Sequence, residues 1–203
     1  MQSMGFLSDL IAGVGEEKRE EILRTQKGLF NTHPYMVSYI VGATVRAYDE
    51  GRGSEEIRRF LAVAQTSFAS AGDLLFWRTL RPALLLLAVI IGVHYGIVGP
   101  IMFLVVYNLF HLFHRVKGIY DGYDMGWDVI YLLKKKRFRL VRLIFEAVGA
   151  LLSGLLISLV AVDVQYLLVI PLTTLFMIML LRRYSAVLII ISVLLLILII
   201  GLV

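Results

Sequence analysis

The stretch Gly72-Asp73-Leu74-Leu75-Phe76-Trp77-Arg78-Thr79-Leu80-Arg81-Pro82 lies where a moderately polar N-terminal third gives way to almost continuous apolar sequence. It holds one carboxylate and two guanidinium groups within nine residues. Ionisable groups at the edge of a membrane are costly, so their default interpretation is functional. The glycine before Asp73 and the proline after Arg81 both disfavour a regular helix, which predicts a loop entering or leaving the bilayer. The alternative is a juxtamembrane anchor, with Trp77 in the aromatic belt and the arginines at lipid headgroups.

The composition is that of an integral membrane protein. Of the 203 residues, 59% are hydrophobic and 17% are charged, whereas a soluble domain has roughly 45–50% apolar and about 25% charged residues. The net charge of +5 comes from basic residues beside apolar runs, which indicates membrane topology and lipid headgroup contact and argues against nucleic-acid binding. The absence of cysteine excludes disulfides and thiolate chemistry. No cleavable signal peptide is expected, because residues 1–15 lack a basic region ahead of their apolar patch.

The predicted architecture is an all-α, polytopic membrane protein with a single membrane domain overall. Residues 1–81 form an amphipathic and re-entrant helical region, with helices over 16–29, 34–48 and 54–69. Residues 82–203 form a transmembrane helical region, with a surface helix over 125–133 and about five apolar segments over 83–95, 97–113, 140–162, 167–181 and 186–203. About 20 residues cross a bilayer, so the first two segments are either tilted spans or a re-entrant pair.

The distribution of lysine and arginine predicts the orientation in the plasma membrane. The basic cluster 134–142 and the pair Arg182-Arg183 are expected on the cytoplasmic side. Asp163 and Gln165 stand in a loop without lysine or arginine, which is expected outside. The multi-pass chain then has its basic loop 134–139 in the cytoplasm and its C-terminus outside.

The apolar half contains few polar or ionisable side chains that could bind a ligand or take part in catalysis. Asn108, His111 and His114 recur every three residues and share one helix face; this pattern suits interhelical hydrogen bonding, or a metal site that lacks a visible carboxylate. Glu146 is either functional or paired with Arg142 one turn earlier. No nucleophile motif and no phosphate-binding loop occurs, so we expect no enzyme activity, no metal and no cofactor.

A second polar cluster, Asn31-Thr32-His33, precedes a proline that breaks the helix pattern. Neutral hydrogen-bonding side chains beside an irregular backbone suit a polyhydroxyl ligand, which offers donors and acceptors without charge. Capping of the following helix, with Pro34 in its first turn, would account for Asn31 or Thr32 alone. It does not account for the full cluster.

Several motifs together resemble a known family. Phe30-Asn31-Thr32-His33-Pro34-Tyr35 resembles the F-N-T-Q-P-F motif of the IID components of mannose/fructose/sorbose-type phosphotransferase-system permeases, and the 72–82 stretch resembles that family's G-D-P-x-F-W-x-T-x-R-P. Further landmarks follow in the family's order: Ile40-Val41-Gly42-Ala43-Thr44, Gly99-Pro100, Tyr107-Asn108-Leu109, Gly118-x-x-x-Gly122-Tyr123 and Gly126-x-Asp128. This chain differs in having His33 for glutamine, Leu74 for proline and a shorter region before the first motif.

The resemblance implies a permease subunit that is not itself the phosphoryl carrier. With a IIC membrane subunit it would translocate a hexose-type sugar, which a cytoplasmic IIA/IIB phosphocarrier phosphorylates, and we expect membrane lipid contacts and a higher-order oligomer. Asn31, Thr32, His33 and Asp73 are the expected substrate-binding residues; Trp77, Arg78, Arg81 and Asn108 are expected to be structural or to gate. The alternatives are a non-transporting membrane scaffold or sensor with the same fold and, from the enzyme class, a membrane-embedded transferase or protease.

Overall fold

The computed structural model describes residues 2–26 and 28–161, all of whose regular elements are helical. Two compact units, Met1–Ser153 and Gly154–Val203, divide the chain, and the first unit holds the features discussed below. The α-helices are α1 Gln2–Gly13, α2 Glu16–Thr25, α3 Val37–Asp49, α4 Ser54–Gly72, α5 Arg81–Tyr95, α6 Val98–Met125 and α7 Lys136–Ala161, with a π-helical segment Asp73–Leu80 and a 3₁₀ segment Gly126–Lys134. The expected apolar segments 167–181 and 186–203, with Asp163, Gln165 and Arg182-Arg183, lie outside the described residues.

The connection between α2 and α3 is longer than the sequence pattern predicts. α2 ends at Thr25 instead of residue 29, and α3 begins at Val37 instead of Pro34. The segment 34–36 is a turn in which the Met36 amide donates to the His33 carbonyl at 3.0 Å. The expected capping of α3 by Asn31 or Thr32 is therefore wrong, because Met36 is the N-cap residue and no side chain caps the helix.

α3 is the central helix of the first unit. Ten of its thirteen residues are buried, which fits its composition of small and apolar side chains with almost no charge. It packs most extensively on α6, and glycine permits the close approach of the two backbones. A Cβ atom on Gly122 would lie 2.3 Å from the Tyr39 carbonyl oxygen, and one on Gly42 would lie 2.3 Å from the Ile119 carbonyl oxygen.

The stretch 72–82 does not form the predicted loop. α4, the π-helical segment and α5 form one continuous 42-residue helix, Ser54–Tyr95. A proline removes one backbone donor and crowds the carbonyl four residues earlier; widening the turns before Pro82 to the i→i+5 pattern relieves this crowding without ending the helix. The Arg81 amide accordingly donates to the Phe76 carbonyl, and the Thr79 hydroxyl donates to the Leu75 carbonyl at 2.7 Å.

This long helix is the one element among the described residues that is long and apolar enough to cross a membrane by length and composition. It also passes through residues 81 and 82, where the sequence suggested a boundary between two regions. The predicted number of spans, and the crossing or re-entry of 83–95 and 97–113, stay predictions.

α5 and α6 form a tight antiparallel hairpin. Gly96, at φ +56°, ends α5, and a Cβ atom on Gly99 would lie 2.1 Å from the Ala88 carbonyl oxygen. α6 then continues through the polar, glycine-bearing stretch 115–123. The surface helix expected over 125–133 is the 3₁₀ segment, which is packed on α3 and α4 and buries Val129 completely.

Candidate functional site

The two polar stretches that the sequence singles out meet at one point. The imidazole of His33, in the loop before α3, lies directly on the backbone of Gly72, where a Cβ atom would be 2.3 Å from His33 Cγ. Gly72 is the last residue of α4 and precedes the π-helical segment. The irregular loop and the widened helix therefore fit each other only because residue 72 has no side chain.

Aromatic rings enclose His33 on several sides. Its ring stacks on Phe76 with centroids 5.1 Å apart, lies 5.0 Å from Trp77 and meets Tyr35 edge-on at 5.2 Å. Tyr35 in turn stacks on His111 at 4.4 Å and lies 6.0 Å from Tyr107. We call these six side chains the imidazole–aromatic cluster: His33, Tyr35, Phe76, Trp77, Tyr107 and His111.

His33 is held neutral and presents one unused donor. Burial lowers the pKa of His33 to about 4, against a smaller opposing effect of the nearby Asp73 charge. The Tyr35 amide donates to His33 Nδ1 at 3.3 Å, so the proton of the neutral ring is on Nε2. Nε2 is buried and has no hydrogen-bond partner in the described part of the chain. A buried donor without a partner is costly, which marks this atom as one that a ligand would satisfy.

Asn31 and Thr32 attach the loop to α4 through Gln65. The Asn31 amide donates to Gln65 Oε1 at 3.3 Å, and the buried Thr32 hydroxyl donates to the Gln65 carbonyl at 3.0 Å. The Asn31 side chain remains exposed. Of the expected binding residues in this loop, Thr32 therefore fixes the position of the loop, while His33 points into the cluster.

Asp73 does not pair with an arginine of the described part of the chain. No ion pair within 4.0 Å joins it to a basic side chain among the described residues. Its charge acts on His33, whose pKa it raises against the larger effect of burial. Trp77 and Arg78 are exposed, which agrees with the anchor alternative for these two, and Arg81 lies close enough to Tyr107 to interact with it electrostatically.

The three polar side chains predicted to share one face of α6 make two different contacts. Asn108 Oδ1 lies 2.9 Å from His111 Nε2, which places this pair beside Tyr35 at the edge of the cluster. His114 Nδ1 lies 2.9 Å from the Tyr39 hydroxyl on α3, so interhelical hydrogen bonding is confirmed for His114. No group of three metal-ligating side chains occurs in the described residues.

On α7, Glu146 pairs with Arg142 at 3.4 Å, the second of the two alternatives that the sequence left open for this carboxylate.

With this geometry established, the chain can be compared with known proteins. The family model described as "PTS system mannose/fructose/sorbose family IID component" matches residues 1–173. The chain belongs to this family of phosphotransferase-system IID components. The resemblance inferred from the sequence motifs is thereby confirmed.

Three curated relatives have different sugars in their names. The mannose-specific EIID component of Escherichia coli K12 is 27% identical over 141 residues, covering 64% of this chain and 50% of the relative. The fructose permease IID component of Bacillus subtilis is 27% identical over 168 residues, covering 78% and 61%. The sorbose-specific EIID component of Lacticaseibacillus casei is 31% identical over 168 residues, covering 77% and 57%. The chain thus spans about half to three-fifths of the length of these relatives.

A solved structure has the same fold. The cryo-EM structure of the mannose transporter ManYZ in complex with microcin E492 contains a chain that matches 96% of the IID chain described here, with a TM-score of 0.57 and 20% identity. The match covers 85% of that transporter chain. The helical architecture of the described residues is therefore a fold that this solved chain shares.

Sequence reasoning found His33 and the 72–82 stretch but missed their neighbours. Gln65, which holds the loop, stands among small residues on α4 with no motif around it. Tyr35 and Tyr107 lie within the family motifs, yet nothing in their spacing along the chain indicates that they meet. The signal that could have found them is the density of aromatic residues in both motifs.

Proposed function

We propose that this chain is the IID subunit of a permease that, with a IIC membrane partner, translocates a hexose-type sugar for phosphorylation by a cytoplasmic IIB component. Family membership supports the permease role, and the names of the three relatives make mannose, fructose and sorbose the first sugars to test. On this proposal the chain binds or positions the sugar and carries no phosphoryl group.

One observation carries the assignment of the site: the buried Nε2 donor of neutral His33 at the meeting point of the two motif stretches. A neutral donor surrounded by ring faces suits a sugar hydroxyl, because it offers a directional hydrogen bond in apolar surroundings without the desolvation cost of a charge. The clustered aromatic rings provide the apolar part of such a site.

The proposed roles of the other residues follow from their positions. Asp73, beside His33, accepts hydrogen bonds from sugar hydroxyls. The exposed Asn31 side chain supplies further polar contacts, and Thr32 supports binding by holding the loop on α4. Trp77 and Asn108 lie at the edge of the cluster and shape or gate the access of the sugar to it. Arg78 and Arg81 hold the helix at the lipid headgroups or against the partner subunit.

The test is uptake of radiolabelled mannose, fructose and sorbose in cells that lack their own systems for these sugars. The chain is co-expressed with its IIC, IIB and IIA partners, and membrane levels are matched by immunoblot. His33→Leu removes the donor and is expected to reduce uptake at least tenfold, since losing one buried hydrogen bond to a ligand costs about 1.5 kcal/mol or more. His33→Gln keeps a donor and carries the residue common in the family, so it should retain uptake.

Matched controls separate the site from general damage. His94→Leu changes an exposed histidine on α5, and Glu56→Gln removes an exposed carboxylate on α4, the helix that leads into Asp73; both should transport normally, whereas Asp73→Asn should not. Wild-type uptake in His33→Leu and Asp73→Asn would refute the site. A stable complex that takes up none of the three sugars would refute transport of these sugars and favour the scaffold or sensor alternative.

A further inference from the structure

A second cavity contains none of the six residues of the imidazole–aromatic cluster in its lining, although two of its lining residues, Phe110 and His114, contact Phe76 of that cluster. It encloses about 450 Å³ between α3, α4, α6, the 3₁₀ segment and the start of α7, within the range of roughly 300–1,000 Å³ that ligand sites occupy. Most of its wall is apolar, formed by leucine, methionine, valine and phenylalanine side chains. It therefore suits a hydrocarbon chain better than a sugar.

The polar groups within this wall already satisfy one another. The Tyr39 hydroxyl and His114 Nδ1 lie 2.9 Å apart, and Lys117 Nζ lies 2.6 Å from Asp121 Oδ1. Because these polar groups are paired with each other, they do not require a hydrogen-bonding or charged ligand inside the cavity. A ligand that enters it gains mainly from apolar burial.

Two exposed cations in the cavity lining differ from these paired groups, because neither forms an ion pair with another described residue. Lys135 and Arg137 line the cavity, are exposed, and form no ion pair in the described part of the chain. They stand where the 3₁₀ segment gives way to α7. Two unpaired cations beside an apolar cavity complement an amphiphile with an anionic head and a hydrocarbon tail.

We propose that this cavity binds an anionic phospholipid, with one acyl chain between Phe68, Phe113 and Val141 and the phosphate between Lys135 and Arg137. In a membrane protein the lipid is present at high local concentration, and basic residues near the bilayer surface attract anionic headgroups. A lipid held there touches α4, α6 and α7 together and thus links the helices around the cavity. The inference does not depend on the transport proposal.

Lipid retention on the purified complex tests this site. The chain, extracted in mild detergent with whatever membrane partner co-purifies, is delipidated and incubated with dioleoyl phosphatidylglycerol or dioleoyl phosphatidylcholine, and bound lipid is counted by native mass spectrometry. The wild type should retain phosphatidylglycerol in preference to phosphatidylcholine. Lys135→Ala/Arg137→Ala should reduce phosphatidylglycerol occupancy about tenfold, consistent with the loss of two headgroup contacts.

Two further variants keep the proposal falsifiable. Lys136→Ala/Arg139→Ala removes the same charge from the same cluster, but neither residue lines the cavity, so phosphatidylglycerol retention should persist. Val141→Trp fills the apolar part without changing charge and should reduce retention of the lipid. Equal retention of both lipids by the wild type, equal loss in the two double variants, or unchanged retention in Val141→Trp would each overturn the proposal.

Discussion

The imidazole of His33 lies so close to the backbone of Gly72 that a Cβ atom on this glycine would be 2.3 Å from His33 Cγ. The two residues are 39 positions apart and belong to the two stretches that carry the family motifs. Their contact joins an irregular loop to the start of a π-helical segment within a 42-residue helix. Any side chain at residue 72 must displace the ring, the helix or both.

We expect Gly72→Ala to destabilise the protein by about 1–3 kcal/mol, the usual cost of inserting a group into a packed interior. Alanine is the better helix former by about 1 kcal/mol, so helix propensity alone would make the Gly72→Ala protein more stable. A lower free energy of unfolding would therefore report the clash with His33. Thermal unfolding of the detergent-purified complex measures it, and sugar uptake should fall in parallel.

Gly5→Ala is the matched control for this substitution. Gly5 is in α1, and a Cβ atom there would meet nothing within 4 Å, so the change should be neutral or slightly stabilising. A Gly72→Ala protein as stable and as active as the Gly5→Ala protein would contradict the close contact.

Acid should destabilise the protein through His33. Its pKa is about 4 in the folded protein and about 6.5 in an unfolded chain, so the unfolded state binds the proton first as the pH falls. The contribution of neutral His33 to stability is fully present above pH 6.5 and is lost as the pH falls to about 4, by roughly 3 kcal/mol.

His33→Gln removes this titration and should flatten the fall in melting temperature between pH 6.5 and pH 4. The exposed His94 offers the control, since His94→Gln should keep the wild-type pH profile. Melting curves of the three proteins at half-unit pH intervals make the comparison; identical profiles for His33→Gln and the wild type would show that His33 does not titrate as described.

The α3–α6 contact should depend on Gly122. Gly122→Ala places a methyl group 2.3 Å from the Tyr39 carbonyl oxygen and 3.0 Å from the Ala43 amide nitrogen, so we expect a loss of about 2 kcal/mol or more in the free energy of unfolding. Gly92→Ala, on α5, meets nothing within 4 Å and should be tolerated. Equal melting temperatures for the two variants would refute the backbone-to-backbone packing described for α3 and α6.

The orientation inferred from the basic residues can be tested directly, because the chain has no cysteine of its own. A cysteine in place of Lys136 should react with a membrane-impermeant maleimide only from the cytoplasmic side. A cysteine added after Val203 should react only from outside. Reaction of both from one side would contradict the predicted topology.

The sequence by itself determined the class of protein and the family. The class follows from composition and apolar runs, which are averages over many residues and are therefore insensitive to a wrong prediction at any one position. The family follows from the motifs at 30–35 and 72–82, each of which consists of contiguous residues. The start of α4 at Ser54 and the Arg142–Glu146 pair could likewise be inferred from neighbours in the chain, whereas the functional role of His33 stays a prediction. Local signals of this kind do not depend on how the helices pack.

Only the tertiary structure decided whether the helix continues through Pro82 and which side chains surround His33. Pro82 looked like the end of a loop, yet the helix is continuous from Ser54 to Tyr95. The proline is accommodated by a π-helical segment whose hydrogen bonds shift by one residue. His33 meets Phe76 and Trp77 of the π-helical segment, because the side chains that meet at a site are brought there by helix packing and not by spacing along the chain.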